Sequence, residues 1–240
     1  MPKKYIEGNV NISNLHLTVL PDFLSDVEIR KGYLMCNNNY LTSLVGLPIL
    51  VNSSIDCSNN RLVSLKGSPT DIEEDFNCSN NKTLESLLGA PTTVKGSFNC
   101  YISSLRSLKG APTRVERGFI CSYNKLTSLE FGPTHVGESY NCRANKLTSL
   151  NGAPTHIKGN FYCDSNVLPN LIYAPVYVGG NFTCSGNILT SLEGIPKCVD
   201  GDFILFRNDP DNDNARVFTE KEIRRVCKIK GIVMLDDIED

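Results

Sequence analysis

The sequence predicts a mainly β solenoid of about ten coils, each close to 21 residues long. Three observations predict it. Cysteines recur at Cys36, Cys57, Cys78, Cys100, Cys121, Cys142, Cys163 and Cys184, with gaps of 21, 21, 22, 21, 21, 21 and 21 residues. Prolines keep the same step through Pro48, Pro69, Pro91, Pro112, Pro133, Pro154, Pro175 and Pro196. An aromatic two residues before the cysteine, as in Phe119-Ile120-Cys121, gives the period-two alternation of a short strand with one buried face. A single coil cannot offset its ordering entropy, whereas stacked coils bury like on like in one continuous core.

The coils follow in order. Residues 1–35 hold an N-terminal cap and a degenerate first coil, in which Val10, Ile12, Leu17 and Leu20 fill the repeat slots and three extra residues lengthen the unit. Residues 36–208 form the regular solenoid. Its one 22-residue gap occurs in both series, so a single residue is inserted within Asn81-Lys82-Thr83-Leu84. In a typical unit Phe119 and Cys121 face inward, and Leu126 and Leu129 form a corner and a second wall. Gly132-Pro133 then breaks the chain at a turn. Leu205 replaces cysteine in the last slot. Residues 209–240 are expected to form a C-terminal cap of the same domain. Thr219-Glu220-Lys221-Glu222 has the capping-box form and starts a helix through about Lys228, with Ile223, Val226 and Cys227 on its inner stripe. Ile232 to Leu235 reads as a final strand or an apolar extension, and the acidic tail after it as solubilising.

Phe119-x-Cys121-x-x-Asn124-x-Leu126 resembles the Leu-x-Leu-x-x-Asn-x-Leu core of leucine-rich repeats. The short unit with its proline is similar to the bacterial type found in secreted effectors. The wording Cys-Ser-x-Asn-x-Leu-Thr-Ser-Leu-x-Gly-Ala-Pro is still more similar to repeat proteins of large tailed bacteriophages, over about residues 8–230. The resemblance implies a leucine-rich-repeat-like solenoid closed by an N-terminal cap and a helix-containing C-terminal cap. It carries no agreed activity. A phage origin would imply a host protein as partner, such as one of a defence system, blocked in the host cytoplasm.

Composition narrows the function. With 40% apolar and 21% charged residues the chain has the makings of a core. A net charge of −2 excludes a polybasic nucleic-acid arm, and no apolar run is long enough to span a membrane. The first residues lack the apolar stretch of a signal peptide, so a soluble protein of a reducing, cytoplasmic compartment is expected. In such a setting the thiol column reads as a stack of small hydrophobes. Parallel stacking disfavours disulfides, the repeat offers no Cys-x-x-Cys or histidine for zinc, and buried thiols are poor redox sensors. His135 and His156 share a slot with Arg114, which disfavours a metal. Asp209, Asp211, Asp213 and Glu220 match calcium-loop spacing, but Asn214 and Arg216 break the motif, and a solvated acidic turn is expected. No cofactor is implied. No P-loop, dinucleotide fingerprint or nucleophile elbow is present, so an enzyme is not expected.

Two columns remain. Asn39, Asn60, Asn81, Asn124, Asn145, Asn166, Asn187 and Asn208 are expected to form a ladder pairing backbone groups inside the bend after each strand. Only Ser103 departs, and its shorter side chain should loosen that bend. On the outward face most coils carry Ser or Asn, but Tyr101, Ile102, Ile120, Tyr123, Arg143, Tyr162 and Asp164 do not. Exposed aromatics and arginine clustered against a polar background mark a partner-binding surface. The expected function is a non-catalytic protein–protein interaction scaffold. The alternative is a virion or surface component that binds a receptor or glycan.

Overall fold

A computed structural model describes residues 4–48, 50–208 and 216–236. Eleven short strands lie parallel in one continuous sheet, beginning at Val10–Asn11 and Leu34–Met35 and ending at Phe203–Leu205 and Val233–Leu235. The pairing has no slip: Phe98 sits beside Phe119, Phe119 beside Tyr140, and Tyr140 beside Phe161. Each strand has only two or three residues, and in the coils from Phe76 to Phe182 a buried aromatic and a buried cysteine flank the one residue between them.

The core is built of columns. Phe76, Phe98, Phe119, Tyr140, Phe161, Phe182 and Phe203 are fully buried, and their rings follow one another at 5.2–5.7 Å between centroids. That spacing suits offset stacking, which adds to the burial energy of each ring. Leu126 and Leu129, with their counterparts in the other regular coils, are buried without forming strands, except that Leu192 in the last coil is half-buried.

The second wall differs from expectation. Its strands fall on the segment after the proline, as in His135–Val136, and not on the leucine pair. There the valine points inward and its neighbour outward. Four coils pair in one sheet from Asp71–Ile72 to His135–Val136, and four in another from His156–Ile157 to Lys228–Ile229. The three extra residues of the first coil accommodate a 3-10 turn at Asp22–Asp26, which buries Leu24, and Lys4–Ile6 pairs with Val27–Ile29.

At the other end the helix spans Glu220–Val226 with the expected capping box. The Thr219 hydroxyl accepts from the Glu222 amide, and the Glu222 carboxylate accepts from the Thr219 amide at 2.9 Å. The helix stops short of Lys228, because Cys227 is already extended and Lys228–Ile229 joins the second wall. Ile223 and Cys227 are buried as expected, whereas Val226 is exposed. The seven-residue helix presents too narrow a face to bury a third position.

Candidate partner-binding site

The bend after each strand sets the site. Two residues past the cysteine the backbone enters the left-handed region in coil after coil, at Asn38, Asn59, Asn80, Ile102, Tyr123, Ala144, Ser165, Gly186 and Arg207. Asn and Gly tolerate this conformation, but a β-branched or aromatic residue there is strained. One residue later the Asn ladder begins. Asn124 Nδ2 donates to the carbonyls of Cys100, Cys121 and Ser122, and its Oδ1 accepts from the amides of Ser103 and Leu105. The same pattern recurs at Asn60 and Asn166, so each rung ties its own coil to the preceding one.

Ser103 does not leave a gap in this ladder. The amide that an asparagine at this position would serve, that of Leu84, donates instead to Asn81 O at 2.9 Å. The residue inserted after Asn81 makes that local turn, and the Thr83 hydroxyl takes the Leu62 carbonyl at 2.8 Å. Insertion and lost rung are one paired change. The Ser103 hydroxyl itself is buried without a partner.

The structure divides the seven outward residues into two groups. Tyr101 and Tyr123 meet edge to face at 5.2 Å, and the Arg143 guanidinium lies 5.4 Å from the Tyr123 ring and donates to its hydroxyl at 3.0 Å. That hydrogen bond raises the arginine pKa further and fixes its head group. Tyr123 and Arg143 are exposed, and Tyr101 and Ile102 are half-buried beside them. The remaining three belong to the strands or engage other coils. Tyr162 accepts at its hydroxyl from the Asn160 amide group at 2.7 Å, and Asp164 accepts from the Ser185 amide at 3.0 Å and from the Thr183 hydroxyl. Ile120 sits in the strand column between Asn99 and Asn141.

That strand column has a role the sequence reading missed. Asp56, Asn77, Asn99 and Asn141 each cap the amide two residues on, at 2.9–3.2 Å, shaping entry into the bend. Ile120 and Tyr162 give up this cap.

A second omission concerns the corner glycine. Gly46, Gly67, Gly89, Gly110, Gly152 and Gly194 hold left-handed φ there, but Phe131 (φ +65°) and Tyr173 (φ +68°) occupy the slot in two coils. Both side chains point into solvent, 66% and 60% exposed. Elsewhere a leucine amide bonds across this corner to the next coil, as Leu129 does to Asn151 and Leu171 to Glu193. Leu108 and Leu150, which face the two aromatic corners, lack that bond. The interrupted glycine period was visible in the sequence.

The cysteines offer no site chemistry. All eight in the repeat slot are free and buried, and burial pushes each thiol upward, Cys36 to about 12. Several also donate: the thiols of Cys57, Cys100, Cys142 and Cys163 point 3.3 Å from the next coil's carbonyl, which already accepts the same residue's amide. A weak S–H donor distinguishes cysteine from alanine in this slot. His135 pairs with Glu116 at 3.5 Å, and His156 rests on Tyr177. Among the described residues no three His, Cys, Asp or Glu side chains are grouped to hold an ion. Asp209, Asp211 and Asp213 of the acidic loop lie outside the described residues. No described helix is long and apolar enough to cross a membrane.

In structure the chain is similar to YopM from Yersinia enterocolitica WA-314, a leucine-rich-repeat protein, with a TM-score of 0.61 and 22% identity. The likeness covers 80% of this chain and 41% of that one, so this chain spans well under half the length of its neighbour. It supports a leucine-rich-repeat-like solenoid. No family model and no curated protein sequence matches the chain.

Proposed function

We propose that this chain is a non-catalytic protein-interaction scaffold that grips its partner with the bends and outward strand face of its middle coils. The observation that carries the reading is the Tyr101–Tyr123–Arg143 stack. It is built from residues that break the repeat's own pattern. Tyr123 is 42% exposed and held in a left-handed conformation that Asn38, Asn59 and Asn80 of the earlier coils adopt more easily. Tyrosine and arginine are the side chains that most often anchor protein interfaces, and a guanidinium held on a ring loses little entropy on binding. Repeat solenoids serve as rigid extended binding surfaces.

The resemblance of the repeat wording to bacteriophage proteins supports a narrower version: a phage-encoded binder that inhibits a host protein, such as one of a defence system, in the host cytoplasm. Affinity capture from a bacterial lysate tests both levels. Wild type retains a specific protein, and Tyr101→Ala/Tyr123→Ala/Arg143→Ala loses it while keeping its thermal transition. Equal capture by both proteins refutes the site, and no specific capture refutes the scaffold.

A further inference from the structure

The charges of this chain are sorted by face, and the sorting assigns a chemistry to the partner. Arg61, Lys82, Lys125 and Lys146 stand four residues past the cysteine in four of five successive coils; the middle coil has Ser104 in that slot and Arg106 two residues further on, and Arg143 adds a second cation in the last. All are exposed. At about 4.8 Å per coil the row extends roughly 19 Å from Arg61 to Lys146. Within these five bends only one carboxylate occurs, Glu85, 3.6 Å from Arg106. Among the described residues the other five cations have no carboxylate within ion-pair distance, although the Asp164 charge on the next coil acts on Arg143. The second wall is the opposite case. There Lys95 meets Glu73 at 2.6 Å, Arg117 meets Glu74 at 3.6 Å, Lys230 meets Asp200 at 2.8 Å, and Arg114 pairs with Glu116. A chain of net charge −2 thus holds a set of six cations on one edge of which Arg106 alone has a carboxylate within ion-pair distance.

From this charge complementarity, and resting on the scaffold reading above, we infer that the bend edge docks an acidic, carboxylate-rich segment of a partner protein. Two of the edge's three arginines are already oriented for it. Arg61 lies 4.3 Å from the Tyr40 ring, and Arg143 lies 5.4 Å from the Tyr123 ring with one N–H given to its hydroxyl, so each guanidinium is held by a tyrosine while other N–H groups remain for a carboxylate. The same contacts disfavour a single-stranded nucleic acid. Bases need open aromatic faces, and the Tyr40 and Tyr123 rings each carry an arginine.

Binding of three fluorescein-labelled probes to the full chain tests the assignment: a deca-glutamate peptide, a Gly-Ser peptide of equal length, and an oligo-dT. Two variants of equal net charge are compared, Lys125→Glu/Lys146→Glu on the bend and Lys158→Glu/Lys197→Glu on the second-wall side. Deca-glutamate binds wild type above the neutral peptide, weakens as salt rises, loses about tenfold in the bend variant and less than about twofold in the other. Equal loss in both variants reduces the effect to net charge and overturns the inference. So does oligo-dT binding more tightly than deca-glutamate with the same bend dependence, and so does no preference over Gly-Ser. The lysate capture separates the two readings. A captured partner that holds the bend variant as firmly as wild type overturns the acidic assignment and leaves the scaffold standing. Deca-glutamate binding with nothing captured does the reverse.

Discussion

Tyr140 stands in a column otherwise filled by phenylalanine from Phe76 to Phe203, and its hydroxyl is fully buried beside the Cys121 thiol without a hydrogen bond of normal geometry. The coil before it compensates in volume. Gly132 replaces the alanine found at Ala111, Ala153 and Ala174, and a Cβ on it would stand 3.1 Å from the tyrosine oxygen and 2.9 Å from Leu129 O. Burying an unpaired hydroxyl costs about 1–3 kcal/mol, and removing it leaves only a one-atom void. Tyr140→Phe is therefore expected to stabilise the protein by about 1 kcal/mol, a rise of roughly 2–4 °C for a chain of this size. Gly132→Ala alone should cost about 1–2 kcal/mol through crowding. In the Tyr140→Phe background one of its close contacts is gone, so the double variant should exceed additivity by at least about 0.5 kcal/mol. Thermal and urea unfolding of the four proteins measure the cycle. A lower transition for Tyr140→Phe means the hydroxyl is satisfied, and strict additivity means the two positions do not share the space. Either result refutes the reasoning.

The remaining predictions concern the ladder, the corners and the thiols. Asn124→Leu removes the acceptor of two buried amides and the donor to three carbonyls, and chemical unfolding should show a loss of about 3–5 kcal/mol. Phe131→Gly and Tyr173→Gly restore the corner residue of the other coils and relieve left-handed strain worth about 1–2 kcal/mol, so each should raise the unfolding midpoint. In the native protein a water-soluble disulfide reagent should modify Cys198 first, because it is the one partly exposed cysteine. Its thiol is pushed up by burial and by the bond to Asp200, so labelling should quicken only as pH climbs past the usual thiol range. Fast reaction of several thiols at neutral pH would refute burial of the column.

The repeat slots were readable because each buried position recurs in the same chemical form: ring, thiol, asparagine, leucine, proline. What the sequence hid lies where periodicity ends or where conformation is silent. The 3-10 turn at Asp22–Asp26 and the strand pair it precedes have no counterpart in other coils. The leucine pair reads as a corner and a second wall, and Leu126 and Leu129 are indeed buried; the paired backbone of that wall instead follows the proline, at His135–Val136, where the inward residue is a single valine. The helix end was misplaced because Lys228 fits a helical pattern, while pairing of Lys228–Ile229 with Cys198–Val199 is a long-range gain that local propensity cannot announce. Of the seven outward residues, four adjoin on successive bends; Ile120 and Tyr162, which stand before the cysteine, lie on strands, and the Asp164 carboxylate accepts from the next coil.

In a solenoid each coil contacts only its neighbours, so a departure from the repeat has to be offset locally or tolerated as a local loss of stability. That rule sorts the departures in the middle of this chain into two kinds. Ser103 is matched by the insertion after Asn81, and Tyr140 by Gly132. Both pairs lie inside, and each restores a hydrogen bond or a volume that its partner removes. Ile102, Tyr123, Phe131 and Tyr173 have no such match. Each places a bulky side chain where the backbone is left-handed, at slots that most other coils fill with Asn, Gly or a small residue such as Ala144 and Ser165. Phe131 and Tyr173 also forgo an inter-coil bond. Tyr123 gains contacts only with Tyr101 and Arg143, which are departures themselves. An internal pair can accumulate as neutral repacking; an outward set that weakens its own scaffold is better explained by what it touches outside the chain.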